Sequence, residues 1–363
     1  MRWLLLPLLA VLWLPLAAQT DTTDSNDYEE EDWDIYADLD FADEGTKRFC
    51  TSKITNLSPS RLISIGYELQ GPAALTAGAF QTEAQNYPEE EGQLAFSHGL
   101  RLQANVPVIS RNSIIIQLNA NYMESRYNFD DGANLTHPLQ RLLADNGLRT
   151  AGLGTTIFKP LNETNFILFQ GSADLNGDYG WSSIQPLSSL KYSAALLYGW
   201  KTSDRFMWGI GASRTYRVGE LNYVPVLLLN WTSRNGKWGT ELLLPARGHL
   251  RRTFNPRSIA LFGFELEGQS YRLNNRDDYD FGVDPFELRR GELRIRLDYQ
   301  RAIKNFNWLG VQVGYRYNWT FEVDELEGGN EFFRGFFGEQ PFAMENMLAN
   351  TFYVQLTLNL VSP

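Results

Sequence analysis

Residues 309–323 read LGVQVGYRYNWTFEV, and this run is the strongest indication of the fold. Every odd position carries an apolar or aromatic side chain, and the positions between them are glycine or polar. Successive side chains of a strand point to opposite faces, so this alternation gives one apolar and one polar face. Strands of soluble domains usually have about 5–6 residues, whereas a tilted strand needs roughly 9–11 to cross a bilayer. The run therefore predicts a membrane-spanning strand with its apolar face outward and its polar face toward a lumen.

The same alternation recurs along the chain and gives fourteen candidate strands. They are 62–70, 93–108, 112–124, 148–159, 164–174, 189–202, 205–217, 221–232, 237–245, 246–254, 258–272, 287–303, 307–323 and 351–361. Short turns alternate with the long links 71–92, 125–147, 175–188, 273–286 and 324–350, an asymmetry typical of outer-membrane barrels. The sequence predicts an all-β fold, a transmembrane antiparallel up-and-down β-barrel of about fourteen strands. Twelve is the alternative, because 237–254 could be one strand broken at Pro245.

The first residues predict export from the cytoplasm. Arg2 precedes an apolar core from Leu4 to Leu16, and small residues follow at Ala17 and Ala18. This pattern predicts a signal peptide over 1–18 that is cleaved after Ala18. The alternative is a transmembrane anchor, for which the apolar run is short. No later run of 18 apolar residues exists, which excludes a helical membrane protein.

An acidic segment follows the predicted signal peptide. Residues 19–45 contain twelve acidic residues and no basic residue, so the chain's charge excess of −11 lies here. Such composition predicts a disordered periplasmic tail over 19–57, before a barrel over 58–363. A solvated spacer and a docking segment for a basic periplasmic partner are both open, and calcium-loop spacing is missing. Cys50 is the single cysteine, which excludes an internal disulfide, and it is either incidental or a reactive thiol.

Three further segments support a resemblance to a known family. They are 58–67 (SPSRLISIGY), 244–247 (LPAR) and 268–272 (GQSYR). With the alternating strands, they make the chain resemble a Gram-negative outer-membrane β-barrel family known only as a domain of unknown function. The terminal run 351–361 is also similar to the last strand that the barrel-assembly machinery recognises, although the chain ends Val361-Ser362-Pro363 instead of on an aromatic residue. The resemblance implies a location in the outer membrane, with its lipid and the assembly machinery as partners, and it implies no catalytic residues.

Catalytic and cofactor chemistry find little support in the sequence. An outer-membrane hydrolase would need a histidine beside a serine or an acid, and only His98, His137 and His249 are available. His98 shares the outward phase of Phe96 and Leu100, His137 adjoins a predicted helix, and His249 shares a face with two arginines. No metal-ligand spacing, phosphate-binding glycine loop or basic nucleic-acid stripe is present. The sequence predicts no enzyme, no cofactor and no nucleic-acid partner.

Strands ten to thirteen are predicted to direct an unusual number of charges into the lumen. These residues are Arg247, His249, Arg251, Glu265, Glu267, Arg290, Glu292, Arg294, Arg296, Asp298, Arg316 and Glu322. One hypothesis is a ligand or ion path, because charged linings set selectivity. The other is a set of cross-strand ion pairs that brace the wall and fill the lumen, which the near balance of charge favours.

Two long links carry further predictions. Within 125–147, residues Pro138 to Asp145 are predicted to form a short helix capped by Thr136. The link 324–350 contains an aromatic cluster, whose members are Phe332, Phe333, Phe336, Phe337 and Phe342. Exposed aromatic rings in this number are costly in water, so they are expected to pack on the barrel rim or to form an apolar mouth.

Two function classes therefore stay open from the sequence. The first is a passive channel or uptake barrel for a small solute, which includes the case of an apolar one. The second is a structural or adhesion barrel with a filled lumen. An outer-membrane hydrolase is the remaining alternative. A continuous water path through the lumen would favour the first class, and a filled lumen would favour the second.

Overall fold

The computed structural model describes residues 49–82, 85–180, 190–216, 222–274, 286–325 and 342–362. Its strands are β1 Arg61–Gln70, β2 Ala73–Ala77, β3 Phe80–Gln81, β4 Asn86–Tyr87, β5 Glu90–Arg111, β6 Ile114–Phe129, β7 Leu148–Pro160, β8 Asn165–Gly177, β9 Lys191–Ser203, β10 Phe206–Thr215, β11 Asn222–Thr232, β12 Trp238–Leu244, β13 Arg247–Asn255, β14 Ser258–Leu273, β15 Phe286–Lys304, β16 Asn307–Thr320, β17 Val323–Glu325, β18 Met347–Leu348 and β19 Thr351–Val361. A 3-10 turn, Gly132–Asn134, and one α-helix, α1 Pro138–Asp145, lie between β6 and β7. That helix is too short to cross a membrane. The predicted signal peptide and residues 19–48 of the predicted tail lie outside the described residues.

The strands close into an antiparallel up-and-down barrel. Each wall strand is hydrogen-bonded to its two neighbours, and β1 pairs with β19 from Arg61↔Val361 to Gln70↔Tyr353. The wall has fourteen positions, because β2, β17 and β18 continue the positions of β1, β16 and β19, and β3 with β4 form a separate two-stranded sheet. The predicted fold class is confirmed. The alternative of twelve is wrong, because β12 and β13 form a separate hairpin around Pro245 and Ala246.

The two faces of the wall differ as the alternation predicts. Outward positions are apolar and exposed on every part of the wall, as at Leu153, Ile210, Phe262 and Phe352. Inward positions of β19 are instead Tyr353, Gln355, Thr357 and Asn359, which are buried. An apolar outer belt around a polar interior is the arrangement that a bilayer requires of a barrel.

The opening run 309–323 follows this rule only as far as Trp319. Its odd residues from Leu309 to Trp319 face outward, but Phe321 and Val323 are buried inside the barrel. The pairing of β15 with β16 shifts between Gly291 and Glu292, so the strand changes phase at its end. The predicted inward position of Glu322 is therefore wrong. Glu322 lies after the end of β16, where it accepts a hydrogen bond from the Thr320 hydroxyl.

The two ends of the barrel have different connections. Six short turns, such as residues 112–113 and 305–306, lie at one end, here called the short-turn end. The longer links lie at the opposite, long-loop end, together with the two-residue turn between β12 and β13. This arrangement confirms the predicted asymmetry and defines the direction in which the lumen is described below.

Candidate functional site

A compact set of ion pairs crosses the lumen and is called here the lumen charge network. Its members are Arg61, Glu68, Arg101, Glu265, Glu267, Arg290, Glu292, Arg294, Arg296, Asp298 and Arg316. Arg294 is its centre, with nitrogen–oxygen distances of 2.6 Å to Glu68, 3.1 Å to Glu267 and 2.5 Å to Glu292. Arg294, Arg316 and Glu292 are at most 1% exposed, so these charges are compensated by one another and not by bulk water. Buried charges are tolerated only when they are paired in this way.

The network joins opposite walls of the barrel. Glu68 of β1 binds Arg294 of β15 and lies 3.0 Å from Arg101 of β5. Arg101 also reaches Glu267 of β14 at 2.9 Å, and Arg290 donates to the Ser125 hydroxyl of β6 at 3.1 Å. Sequence analysis did not single out Glu68, Arg101 or Arg61. The inward phase of Glu68 and Arg101 in the predicted strands was available, but alternation does not tell which opposite strands meet across a lumen. Arg61 precedes the predicted strand 62–70, and a register shift between Arg61 and Ile63 brings it to the inner face.

Three inward residues of β13 differ in the hydrogen bonds and ion pairs that their polar atoms form. Arg251 is fully buried, lies 3.3 Å from Glu241 and donates to the Thr232 hydroxyl. His249, two residues nearer the long-loop end, is buried, and its Nε2 atom has no hydrogen-bond partner among the described residues. Arg247, at the top of the hairpin, is exposed although it faces inward, and it forms no ion pair or hydrogen bond within the described chain. Arg251 is not fully satisfied either, since its Nε and Nη1 atoms have no hydrogen-bond partner among the described residues.

The part of the lumen formed by β9, β10 and β11 has a different surface. Its inward residues include Leu197, Gly209, Gly211, Val224, Val226 and Leu228. None of these six side chains is charged and most are small, although Leu197 and Val226 are buried and the inward face of β9 also carries Lys191 and Lys201 at its two ends. The lumen therefore has one side filled by ion pairs and one stretch of wall whose inward residues are uncharged.

A segment before β1 crosses the short-turn end and is called here the strap, residues 49–58. Cys50 donates its backbone N–H to the Asn162 carbonyl at 2.9 Å, and the Thr55 N–H donates to Asp204 at 2.8 Å. Cys50 and Ile54 pack in an apolar cluster with Phe158, Phe166 and Met207 of the wall. Residues 49–57, predicted as part of the tail, thus lie against the barrel.

Polar contacts hold the strap at its middle and at its end. The Lys201 ammonium donates to the Thr51 hydroxyl at 2.7 Å and to the Lys53 carbonyl at 2.9 Å. Ser58 donates to Glu241 through its N–H at 3.0 Å and its hydroxyl at 2.8 Å, and Glu241 also neutralises Arg251. Burial raises the pKa of the Cys50 thiol, which keeps it protonated and unreactive as long as the strap is in place.

An apolar core fills the long-loop end. Leu139, Leu142 and Leu143 of α1 pack with inward residues of the wall such as Leu94 and Phe286. The predicted helix bounds are confirmed, but the predicted cap is wrong. His137 caps α1, because its Nδ1 accepts the Leu139 N–H at 3.3 Å, whereas the Thr136 hydroxyl is bound to Glu90.

The contacts of His137 fix its protonation state. Its Nδ1 accepts a hydrogen bond, so its Nε2 carries the proton that is donated to the Gly78 carbonyl at 3.0 Å. A second proton on Nδ1 would remove the cap. Burial lowers the pKa of His137, in spite of the opposing effects of that hydrogen bond and of nearby Glu90.

Docking of α1 is therefore expected to weaken in acid. The undocked imidazole has a pKa of about 6.5, so stability is lost as the pH falls below that value toward the lower pKa of the docked form. Proteolysis of residues 130–147 should be faster at pH 5 than at pH 8. His137→Asn keeps a capping side chain without titrating, and its proteolysis should not change with pH. Equal pH dependence in both proteins would contradict this role of His137.

The wall is interrupted on its long-loop side, and this interruption is called here the notch. The hairpin of β12 and β13 ends at Pro245, where Leu227↔Leu244 and Arg247↔Glu265 are the last pairs with the flanking strands. Above it, residues 222–226 of β11 pair only with β10 within the described chain. β14 continues to Leu273 and turns away, since Arg272 pairs with Gly177 of β8.

An apolar pocket of about 640 Å³ opens beside the notch. It is lined by Ile210 and Gly211 of β10, residues 224–227 of β11, and Leu244 and Pro245. Gly211, Val224 and Val226 belong to the inward face, while Ile210, Leu227 and Leu244 belong to the outward face. The pocket is therefore lined by residues of both faces of the wall, and Arg247 is not one of them.

The other histidine and the aromatic residues that the sequence singled out lie away from the lumen charge network or outside the described residues. His98 lies on the outward face, where its Nδ1 is 2.7 Å from the Tyr67 hydroxyl, as an interfacial residue would. Phe342 is described and lies under the Arg289 guanidinium, 5.8 Å from the ring centre. Phe332, Phe333, Phe336 and Phe337 lie outside the described residues. No group of three His, Cys, Asp or Glu within the described ranges is placed to hold a metal ion.

These features define a closed, fourteen-stranded barrel of the outer-membrane type with an occupied lumen. The chain belongs to the family described as a domain of unknown function, DUF6268, whose model matches residues 113–358. No curated protein matches the sequence.

Several solved structures are similar at low identity. An outer membrane channel, COG4313, from Pseudomonas putida F1 has 10% identity and a TM-score of 0.36, over 86% of this chain and 99% of that one. The P. putida toluene transporter TodX has 7% identity and a TM-score of 0.33, over 85% and 92%. A Pseudomonas aeruginosa FadL homologue has 9% identity and a TM-score of 0.33, over 87% and 100%.

Proposed function

We propose that this chain is an outer-membrane uptake barrel for a small, apolar solute, closed at rest by the strap. In this account residues 1–18 direct export, the short-turn end faces the periplasm, and residues 19–48 continue the strap toward a periplasmic partner. The solute enters at the notch, follows the uncharged side of the lumen and leaves where the strap releases the short-turn end.

The observation that carries this proposal is the division of the lumen into two sides. A barrel with a purely structural interior would be filled on all sides by packed or paired groups. Here the charge network fills one side, whereas the small, uncharged residues Gly209, Gly211, Val224 and Val226 line part of the other. Binding sites for small molecules are mostly apolar and concave, which fits the pocket at the upper end of this side.

A structural barrel is the second candidate, and a specific observation favours it. The strap, the charge network and the apolar core with α1 together occupy the axial path through the described residues. If the chain is a structural barrel, the ion pairs only stabilise the folded wall. Absence of enzymatic activity also remains a prediction, since the three histidines have capping, interfacial or unpaired positions.

Uptake of a fluorescent apolar dye by intact cells tests the proposal. The outer leaflet of such cells excludes apolar dyes, so the chain should accelerate dye entry when it is expressed. Val224→Trp, which places a ring on the inward face at the pocket, is expected to remove most of this gain. Leu229→Trp, on the outward face of the same strand, is the matched control and should leave it unchanged.

The comparison separates the two candidates. If cells with the wild-type chain take up dye no faster than cells without it, and the barrel is folded, the uptake proposal fails and the structural barrel stands.

A further inference from the structure

Four basic residues lie close together at the short-turn end of the barrel. They are Lys237, Arg252, Arg257 and Arg301, called here the outer basic patch. We propose that this patch binds the head group of an anionic phospholipid, whose acyl chains lie along the apolar outer belt. Such a site requires insertion in a membrane but neither uptake nor the strap, so it goes beyond the proposed function.

The pairing of β13, β14 and β15 brings the two strand arginines of the patch near each other. Arg252 of β13 and Tyr299 of β15 both pair with Ala260 of β14. Arg301 follows Tyr299 by two residues, so it lies on the same outward face of β15. Neighbouring strands lie about 4.8 Å apart, so β13 and β15 are separated by roughly 10 Å.

Two backbone hydrogen bonds place the two turn residues of the patch beside these arginines. The Thr253 N–H donates to the Lys237 carbonyl at 2.8 Å, and the Ala302 N–H donates to the Arg257 carbonyl at 2.8 Å. Thr253 and Ala302 directly follow the two strand arginines in the sequence. The patch therefore consists of one pair of cations on each side of β14.

No acid compensates these four charges within the described chain. None of the four side chains forms an ion pair or a hydrogen bond there, and Arg252 contacts only the Trp238 ring. The nearest acids of the same strands, Glu241 and Asp298, face inward, where each is paired with an arginine. An anion would reduce the repulsion among the four cations, whereas the ammonium group of a zwitterionic lipid would add to it.

An aromatic pair supplies the apolar part of the site. The Phe254 and Tyr299 rings lie 6.4 Å apart between their centres, and these residues are 57% and 40% exposed. The exposed Phe262 of β14 continues this apolar surface toward the middle of the wall. Exposed rings next to cations at the edge of an apolar belt suit the boundary between acyl chains and head groups.

Two sources could supply a phosphate to the patch: a membrane lipid, or inorganic phosphate in solution. We commit to the lipid, because Arg252 and Arg301 lie on the outward face, where the belt of apolar residues ends. Long basic side chains in such a position keep their stems on the apolar surface and extend their charged ends toward head groups. Competition by inorganic phosphate distinguishes the two sources.

The test is equilibrium binding of acyl-labelled phosphatidylglycerol and phosphatidylcholine to the folded full chain in non-ionic micelles. The two probes have the same acyl chains and differ in the charge of the head group. The wild-type chain is expected to bind phosphatidylglycerol at least about tenfold more tightly, because each basic residue near an anionic head group adds to the attraction. Arg252→Gln combined with Arg301→Gln should abolish this preference and leave phosphatidylcholine binding unchanged.

Arg111→Gln combined with Lys159→Gln is the matched control. These two residues are exposed near the short-turn ends of β5 and β7, and the residue paired with Arg111 is Ile114 instead of an aromatic residue. The control removes the same charge from the same end of the barrel. It should therefore keep the preference for phosphatidylglycerol if the outer basic patch is a specific site.

Three results would overturn the inference: equal affinity for the two lipids, the same preference in the two double variants, or displacement of phosphatidylglycerol by inorganic phosphate at equal concentration. The heat-induced shift of the gel band reports that each variant is folded. These results are separable from the proposed function. Dye uptake that depends on Val224 would retain the uptake barrel without any lipid preference, and a lipid preference without uptake would retain the outer basic patch alone.

Discussion

Deletion of residues 49–57 is expected to convert a silent barrel into a conducting one. The strap covers the short-turn end through Cys50, Thr51, Lys53 and Ile54, and it is anchored on the wall by Lys201. On the proposed function, its removal gives water access to the uncharged side of the lumen from the short-turn end. In a planar bilayer the intact chain should show no steady conductance, whereas the deleted chain should show steady unitary currents.

Removal of residues 25–33 from the acidic segment is the matched control. It deletes the same number of residues and leaves every strap contact in place, so this variant should remain silent. If the strap deletion is also silent while its barrel is folded, the strap is not what closes the lumen.

Loss of Arg294 is expected to cause the largest loss of stability among single substitutions. Arg294→Ala leaves Glu68, Glu267 and Glu292 close together without their shared cation. Breaking a truly buried ion pair costs on the order of 3–5 kcal/mol. The temperature at which the folded gel band converts to the slower, unfolded band should therefore fall markedly.

Arg252→Ala is the comparison for this substitution. Arg252 lies outward over the Trp238 ring, 4.6 Å from its centre, and has no acidic partner among the described residues. A contact of this kind contributes about 0.5–1 kcal/mol, so conversion of the gel band should move little. Equal effects of the two substitutions would mean that the network is hydrated and does not brace the wall.

Much of the barrel could be predicted because a strand repeats every two residues. That period assigns a face to each residue, and it identified the wall strands, the inward arginines of β15 and the outward girdle of β16 without further information. It failed where the period is interrupted. The shift between Gly291 and Glu292 turns Phe321 and Val323 inward, and no feature of the run 309–323 marks this change.

The candidate site was harder to predict for two physical reasons. Partners across a lumen are brought together by closure of the barrel, so Glu68 and Arg101 cannot be matched to Arg294 and Glu267 from alternation alone. The strap has no repeating pattern, because only Cys50, Ile54 and Leu57 supply its apolar contacts. The notch in turn depends on the lengths of β12 and β13, and Pro245, which marks their turn, left one broken strand open as the alternative to two.

The central claim is that the strap limits passage of solute, and a reversible lock tests it most directly. Cys50 is the only cysteine of the chain, so a second cysteine at Phe166 or Met207, in the same apolar cluster, can tie the strap to the wall. A non-reducing gel reports whether the bond has formed, and the reduced form of the same protein is the control. Dye uptake by cells should be slow with the bond formed and should recover when a reductant is added. Equal uptake in the oxidised and reduced forms, with the bond shown on the gel, would contradict the account.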